Sequence, residues 1–330
     1  MSIFYRQIIV LATAIAVCVL GVSLGLNSGL NSISTQAVNA VNPNLKYFGY
    51  YSVNADQNNT NIAQIKALKN SNIVLVDYNP STANSLITKA INANLKVIFH
   101  VSGYLLDYTA KPTTLRTNYL SLISSIQSNL GTNISQVHSF YFDEPIWQGV
   151  SKASFRLVSQ ALRLTFPNTG VMAVEALAPL QLNVPYVSPY NVSNVYVDSA
   201  YLEYTTDVGF DYFIYSCQSL NYIHQNLLNT LSSVAINNQK LWLVPDGAIN
   251  LSCTTSASNL LPAMPYYMNM AITNSRVAGL LSWTHSSYTS NQTIENLGYI
   301  GTQDIFQSTS QYYNSSLRSQ HITVGKSIIL

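Results

Sequence analysis

Asp143-Glu144-Pro145, directly after the apolar run Phe140-Tyr141-Phe142, is the segment of this chain best suited to acid–base chemistry. Two adjacent carboxyls raise each other's proton affinity, which suits one of them to stay protonated as a general acid. Acids and Pro also favour a helix start, but Ser151 stands closer to the helical run Lys152–Phe166 and is the better cap for it. The other candidates have the same setting, each at the end of a short β-branched or aromatic run. They are Asp77 and His100, Glu175, Tyr215, Asp246, and Trp283 with His285, to which Tyr50 at the end of the first run is added. Five of the chain's 13 acidic residues fall at such ends, where burial would cost several kcal/mol unless the charge had a use. Glu144, Asp143 and Asp246 are the candidate catalytic carboxyls. Tyr50, Asp77, His100, Glu175, Tyr215, Trp283 and His285 are the candidate substrate contacts, with Trp283 offering a flat apolar face on which a ring can stack. No His-x-His or His-Glu-x-x-His spacing occurs, so neither a metal nor another cofactor is expected.

Eight runs must position these groups. They begin at Lys46, Asn72, Lys96, Val137, Thr169, Asp211, Leu241 and Val277, and they alternate with segments of helical period at Asn61–Asn70, Ser81–Ala93, Arg116–Leu130, Lys152–Phe166, Leu220–Ile236 and Ala263–Thr273. Eight strands in alternation with helices, with no evident domain linker, predict a closed (β/α)8 TIM barrel over 46–330. In that fold the active site is built at the C-terminal strand ends. A further strand-like run begins at Ser193, so the fifth and sixth strands are open to reassignment.

Ahead of the barrel, residues 8–26 form nineteen positions without a charge, preceded by Arg6; 1–26 is read as a signal peptide or signal anchor and 27–45 as a polar leader. Val38-Asn39-Ala40 offers a cleavage site; uncleaved, the segment would tether the protein to a membrane. The chain is expected outside the cell or at its surface. Six sequons, at Asn58, Asn133, Asn191, Asn250, Asn291 and Asn314, are candidate glycosylation sites. Beyond the apolar segment only Cys217 and Cys253 remain, and in an oxidising compartment they are expected to pair. Such a loop of about 35 residues stabilises by roughly 3–4 kcal/mol. Charged residues make up only 8% of the chain, its formal net charge is +2, and no basic cluster is present, which excludes a phosphate-tracking surface for nucleic acid.

The strand-four motif resembles that of the (β/α)8-barrel glycoside hydrolases. In the clan whose fourth strand ends in Asn-Glu-Pro the Glu is the acid/base, and it corresponds to Glu144. In substrate-assisted N-acetylhexosaminidases an Asp-Glu pair ends the same strand, the Asp steering the acetamido group, and corresponds to Asp143 and Glu144. Two departures stand out: Asp143 replaces the Asn of the first group, and strand seven ends in Asp246 where that group has its nucleophilic Glu. The resemblance implies a glycosidase acting on a polysaccharide or envelope glycan. A barrel that binds glycan without cleaving it is the alternative.

Overall fold

The computed structural model describes residues 42–52, 58–212, 223–236, 238–250, 256–287, 299–300 and 302–329, all within one compact unit, Ser34–Leu330. The apolar segment 8–26 lies outside the described residues. Among those that are described, no helix is long and apolar enough to cross a membrane.

Eight parallel strands close on themselves in chain order: β1 (Tyr47–Ser52), β2 (Ile73–Asp77), β3 (Lys96–His100), β4 (Val137–Asp143), β5 (Gly170–Glu175), β6 (Asp207–Asp211), β7 (Lys240–Val244) and β8 (Val277–Ser282). The ring is sealed where Tyr47 pairs with Gly279 and Tyr50 with Ser282. Around it lie α1 (Asn58–Leu68), α2 (Ala83–Asn92), α3 (Tyr119–Leu130), α4 (Lys152–Thr165), α5 (Ile223–Val234), α6 (Ala263–Thr273) and α7 (Ser315–Ile329). The amphipathic period of α4 sends Phe155, Val158 and Leu162 inward, and Ser151 caps it by accepting the backbone N–H of Ser154.

Strand alternation sorts the core into two layers. Phe48, Val74, Val76, Phe99, Phe140 and Phe142 pack outward against the helices, whereas Tyr51, Leu75, Ile98, Tyr141, Met172 and Trp242 fill the barrel. Trp242 plugs the lower interior, its indole N–H donating to Asp207 at 2.8 Å and its ring stacked on Tyr47.

Three features depart from the sequence reading. Strand six is Asp207–Asp211, not a run starting at Asp211, and it pairs in register with Lys240–Val244. Its Gly209 and two acids disguise it, yet the glycine is required where the Trp242 carbonyl would lie 2.9 Å from a β-carbon. The run from Ser193 forms bends and turns rather than a strand, and its apolar residues cover α4, with Tyr201 stacked on Phe155 at 4.7 Å. Finally, packing begins before Lys46, inside the expected leader. Leu45 is buried, and the buried Asn42 amide is shared among the carbonyls of Ala271, Asn274 and Val277 at 2.7–3.0 Å.

Candidate active site

The end of β4 supplies two neighbouring carboxyls to one face. Strict alternation would point Asp143 into the barrel and Glu144 away from it. Glu144, however, takes a left-handed backbone, φ +42°, held by its N–H to the Val174 carbonyl at 2.8 Å and by its own carbonyl accepting from Gln148 at 2.9 Å. A non-glycine residue in this region costs about 1–3 kcal/mol and persists where its surroundings enforce it. The turn brings the Glu144 carboxyl to Asp211, the last residue of β6, and the two are hydrogen-bonded. Asp143 is oriented separately. Its backbone N–H donates to Ser102 Oγ at 3.0 Å, and its Oδ1 accepts from the Tyr141 hydroxyl at 2.5 Å, which in turn accepts from the Tyr51 hydroxyl.

Asp211 and Glu175 are almost fully buried, 5% and 1% exposed. Burial lifts the proton affinity of Asp211 well above the usual carboxylate range, and the charge of Asp143 adds to this; the bond to Glu144 pulls the other way. Burial likewise lifts Glu175 well above that range. The backbone N–H groups of Ile146, at 3.1 Å, and Trp147 oppose the shift, while the charges of Glu144 and Asp143 reinforce it. Glu175 Oε2 is buried without a hydrogen-bond partner among the described residues. The mouth of the barrel therefore sets two carboxyls of raised proton affinity beside Asp143, the arrangement from which a general acid can work.

Asp77 and His100 meet across β2 and β3, Oδ1 to Nδ1 at 2.9 Å. Burial alone would hold the imidazole neutral; the bond to Asp77 and the charges of Asp77 and Asp143 outweigh it and raise its proton affinity. The ring lies against Tyr141 at 5.3 Å. Asp246, 5% exposed, follows β7 and accepts the Ala248 N–H at 3.1 Å. Trp283 bridges to it in parallel and packs on the barrel-filling cluster. Among the described residues, no group of three or more acidic, His or Cys side chains converges as a metal ion requires.

Two expected substrate contacts face elsewhere. Tyr50 has the outward parity of β1: it is fully buried, bonded to Asn70 at 2.8 Å and stacked on His321. His285 comes after the chain has left β8, and its ring nitrogens engage Thr302 at 2.9 Å and Gln64 at 3.2 Å. Burial presses its pKa down to about 3, so it is a neutral pin between α1 and the barrel. Tyr215, Cys217, Cys253 and Asn291 lie outside the described residues. Of the other sequons, Asn191 is exposed in a left-handed turn, Asn133 donates to Asn84 at 3.2 Å, and Asn314 caps α7 by accepting from Leu317 at 2.9 Å. Asn58 begins α1, and Asn250 lies in a two-residue strand that pairs with Tyr299–Ile300. Sequence reasoning missed Asp211, because it was placed at the start of its strand, and Tyr141, which parity with Asp143 could have found.

No family model matches the chain, and no curated protein matches it. Solved structures do. Xylanase 10B from Thermotoga maritima aligns with 11% identity over 90% of this chain and 99% of its own, TM-score 0.54. An endo-1,4-beta-mannanase from Rhizomucor miehei aligns with 11% identity over 86% and 95%, TM-score 0.56. These are glycoside hydrolase barrels, and this chain has their fold. A GH2 beta-galacturonidase from Eisenbergiella tayi aligns with 8% identity over 84% of this chain, TM-score 0.57; the chain spans about half of that larger protein, 51%. At such identities the likeness is one of fold.

Proposed function

We propose that this chain is a glycosidase whose proton donor is the hydrogen-bonded pair of Glu144 and Asp211. The observation that carries the reading is the left-handed turn at Glu144, which spends backbone energy to set a carboxyl of β4 against a carboxyl of β6 at the barrel mouth. In hydrolysis the pair gives its proton to the leaving glycosidic oxygen as the carbon–oxygen bond breaks, and a water molecule adds to the freed sugar carbon and returns a proton to the pair. Asp143, held by the Tyr51–Tyr141 hydroxyls, faces the positive charge that develops on the sugar. Trp283, half-buried at the end of β8, supplies apolar surface for the ring. The apolar segment 8–26 and the six sequons support an exported, glycan-facing setting.

The test is hydrolysis of a panel of aryl glycosides and polysaccharides from pH 3 to 7 by the wild type beside Glu144→Gln, Asp211→Asn and Asp143→Asn. Losses on the order of 10²–10⁴-fold in kcat are expected in each. A second reading, a barrel that binds glycan without cleaving it, is favoured by Asp246: the strand-seven carboxyl is nearly buried and accepts the N–H of Ala248. Retained oligosaccharide binding with no turnover by the wild type on any substrate would establish that reading instead.

A further inference from the structure

An uncharged wall of aromatic side chains stands beside the acid pair. From Ala176 to Val197 the excursion that follows β5 carries no charge, and it leaves Leu182, Val184, Val187 and Val195 exposed. Its second half is a pinned hairpin. Val187 bridges Ser193 in antiparallel fashion, the Tyr186 N–H donates to Asn194 Oδ1 at 2.9 Å, and the Ser188 N–H donates to the Val192 carbonyl at 2.7 Å. The Tyr196 hydroxyl donates to the Val184 carbonyl at 2.8 Å, and the Tyr186 hydroxyl to that of Val195. Both phenols are thus engaged by the hairpin's own backbone, which fixes two rings that stay half-exposed. Trp147, also half-exposed, continues the row: its ring lies 5.7 Å from that of Tyr186 at 32°, and Tyr186 lies 5.8 Å from Tyr196 at 78°.

The row is continuous with the site already described. Trp147 stands three residues after Glu144, and its backbone N–H is held by Glu175. Burial raises the proton affinity of the Tyr186 phenol and the charge of Glu175 adds to it, bringing its pKa to about 12. At Gly149 a β-carbon would lie 2.6 Å from Pro112 and 2.8 Å from Val192, so the loops after β3, β4 and β5 pack as one wall.

We propose that Trp147, Tyr186 and Tyr196 are a stacking wall for the sugars next to the one at the acid pair, so that the chain takes an internal stretch of a neutral polysaccharide, built of pyranoses with equatorial hydroxyls, rather than a single terminal sugar. This rests on the glycosidase or glycan-binding reading of the same site. A pyranose whose hydroxyls are all equatorial turns its axial C–H bonds to its two faces, and such apolar faces match aromatic rings. Three rings in a row are wider than one sugar, and rings already fixed lose little freedom on binding. With no charge on the excursion, neither a uronate nor an ammonium finds a partner there. A lipid surface or a second copy of the chain would use the exposed Val and Leu side chains, but the exposed Asn183, Asn191 and Asn194 interrupt them, and neither occupant needs a row joined to Glu175.

The experiment is titration calorimetry of the full chain in mild detergent, in a Glu144→Gln background that stops turnover, with cello- and xylo-oligosaccharides from the dimer to the hexamer. Affinity for at least one series should rise at least tenfold with length, and should be indifferent to salt between about 20 and 200 mM. Trp147→Ala and Tyr186→Ala should each remove that gain and hold the dimer affinity within about twofold. Trp147→Phe and Tyr186→Phe, which keep a ring, should retain most of it. Affinity that does not grow with length, a gain untouched by the Ala variants, or binding of neither series overturns the proposal. So does a Tyr186→Ala variant that loses sedimentation with phosphatidylcholine vesicles, or self-association, while keeping the gain with length. Turnover by the chain with Glu144 intact separates the two readings. Length-dependent binding without hydrolysis leaves the wall standing and removes the glycosidase; hydrolysis of aryl monoglycosides with no benefit from added sugars, equal in the Ala variants, does the reverse.

Discussion

Glu175 should hold the turn at Glu144 in place through its backbone acceptor rather than through its charge. Its carboxyl accepts the N–H groups of Ile146 and Trp147, in the loop that opens with the left-handed Glu144. Glu175→Ala would strand two buried donors, at about 1–3 kcal/mol each, or roughly 2–6 kcal/mol together. At about 2 cal/mol/K of unfolding entropy per residue, a barrel of this length would lose about 3–10 °C in Tm. Glu175→Gln keeps an acceptor oxygen and, being neutral, imitates the protonated acid. Near pH 4 it should stay within about 1 kcal/mol of wild type. Above that pH the unfolded chain releases the Glu175 proton while the folded protein, its affinity raised, retains it. Wild-type stability therefore falls as pH rises until the folded group itself titrates, and the Gln variant, which lacks this loss, should gain on wild type toward pH 7. Calorimetric scans of the three proteins from pH 4 to 8, with hydrolysis kinetics alongside, would decide it. Activity should vanish in the Ala variant and return in the Gln variant with an unshifted pH profile. A Gln variant as unstable and inactive as the Ala variant at every pH would refute the positioning role.

Other consequences can be checked separately. His285 and His321 are pressed down by burial to about 3 and about 4, so between pH 6.5 and those values the unfolded chain takes up protons that the folded one refuses. Stability should drop on acidification, by on the order of 3 kcal/mol between pH 7 and 4 for His285 alone. His285→Gln should flatten that limb in Tm measured against pH. Gly279→Ala would place a β-carbon 2.3 Å from the Trp242 ring, which Asp207 and Tyr47 hold in place, so a loss of about 1–3 kcal/mol is expected in the urea midpoint. An unchanged midpoint would mean that the indole can move. Peptide mapping without reductant should recover Cys217 joined to Cys253; free thiols at both would end that expectation.

The barrel was legible because seven of its strands are continuous apolar runs, as strands buried on both faces must be. The sixth was not. Asp-Val-Gly-Phe-Asp reads as a turn until Trp242 is seen to need both the gap at Gly209 and the carboxylate of Asp207. Apolarity from Ser193 reflects a loop folded over α4, which no local pattern separates from a strand. Candidate residues were placed at the barrel mouth where strand ends were read correctly. The errors are one residue of parity at Tyr50 against Tyr51, and one departure from the barrel between Trp283 and His285. The pairing of Glu144 with Asp211 was hidden because it depends on a backbone inversion that no spacing announces.

Asn42 carries a consequence for biosynthesis. The carbonyls that its amide binds belong to Ala271, Asn274 and Val277, more than 220 residues downstream. A ribosome therefore delivers seven strands before the anchor for the first can exist, and the emerging sheet presents two raw edges throughout translation. Trimming after Ala40 would leave Asn42 as the second residue of the shortened chain, so a cut three residues further on would remove the clasp that fastens the beginning of the barrel to its end.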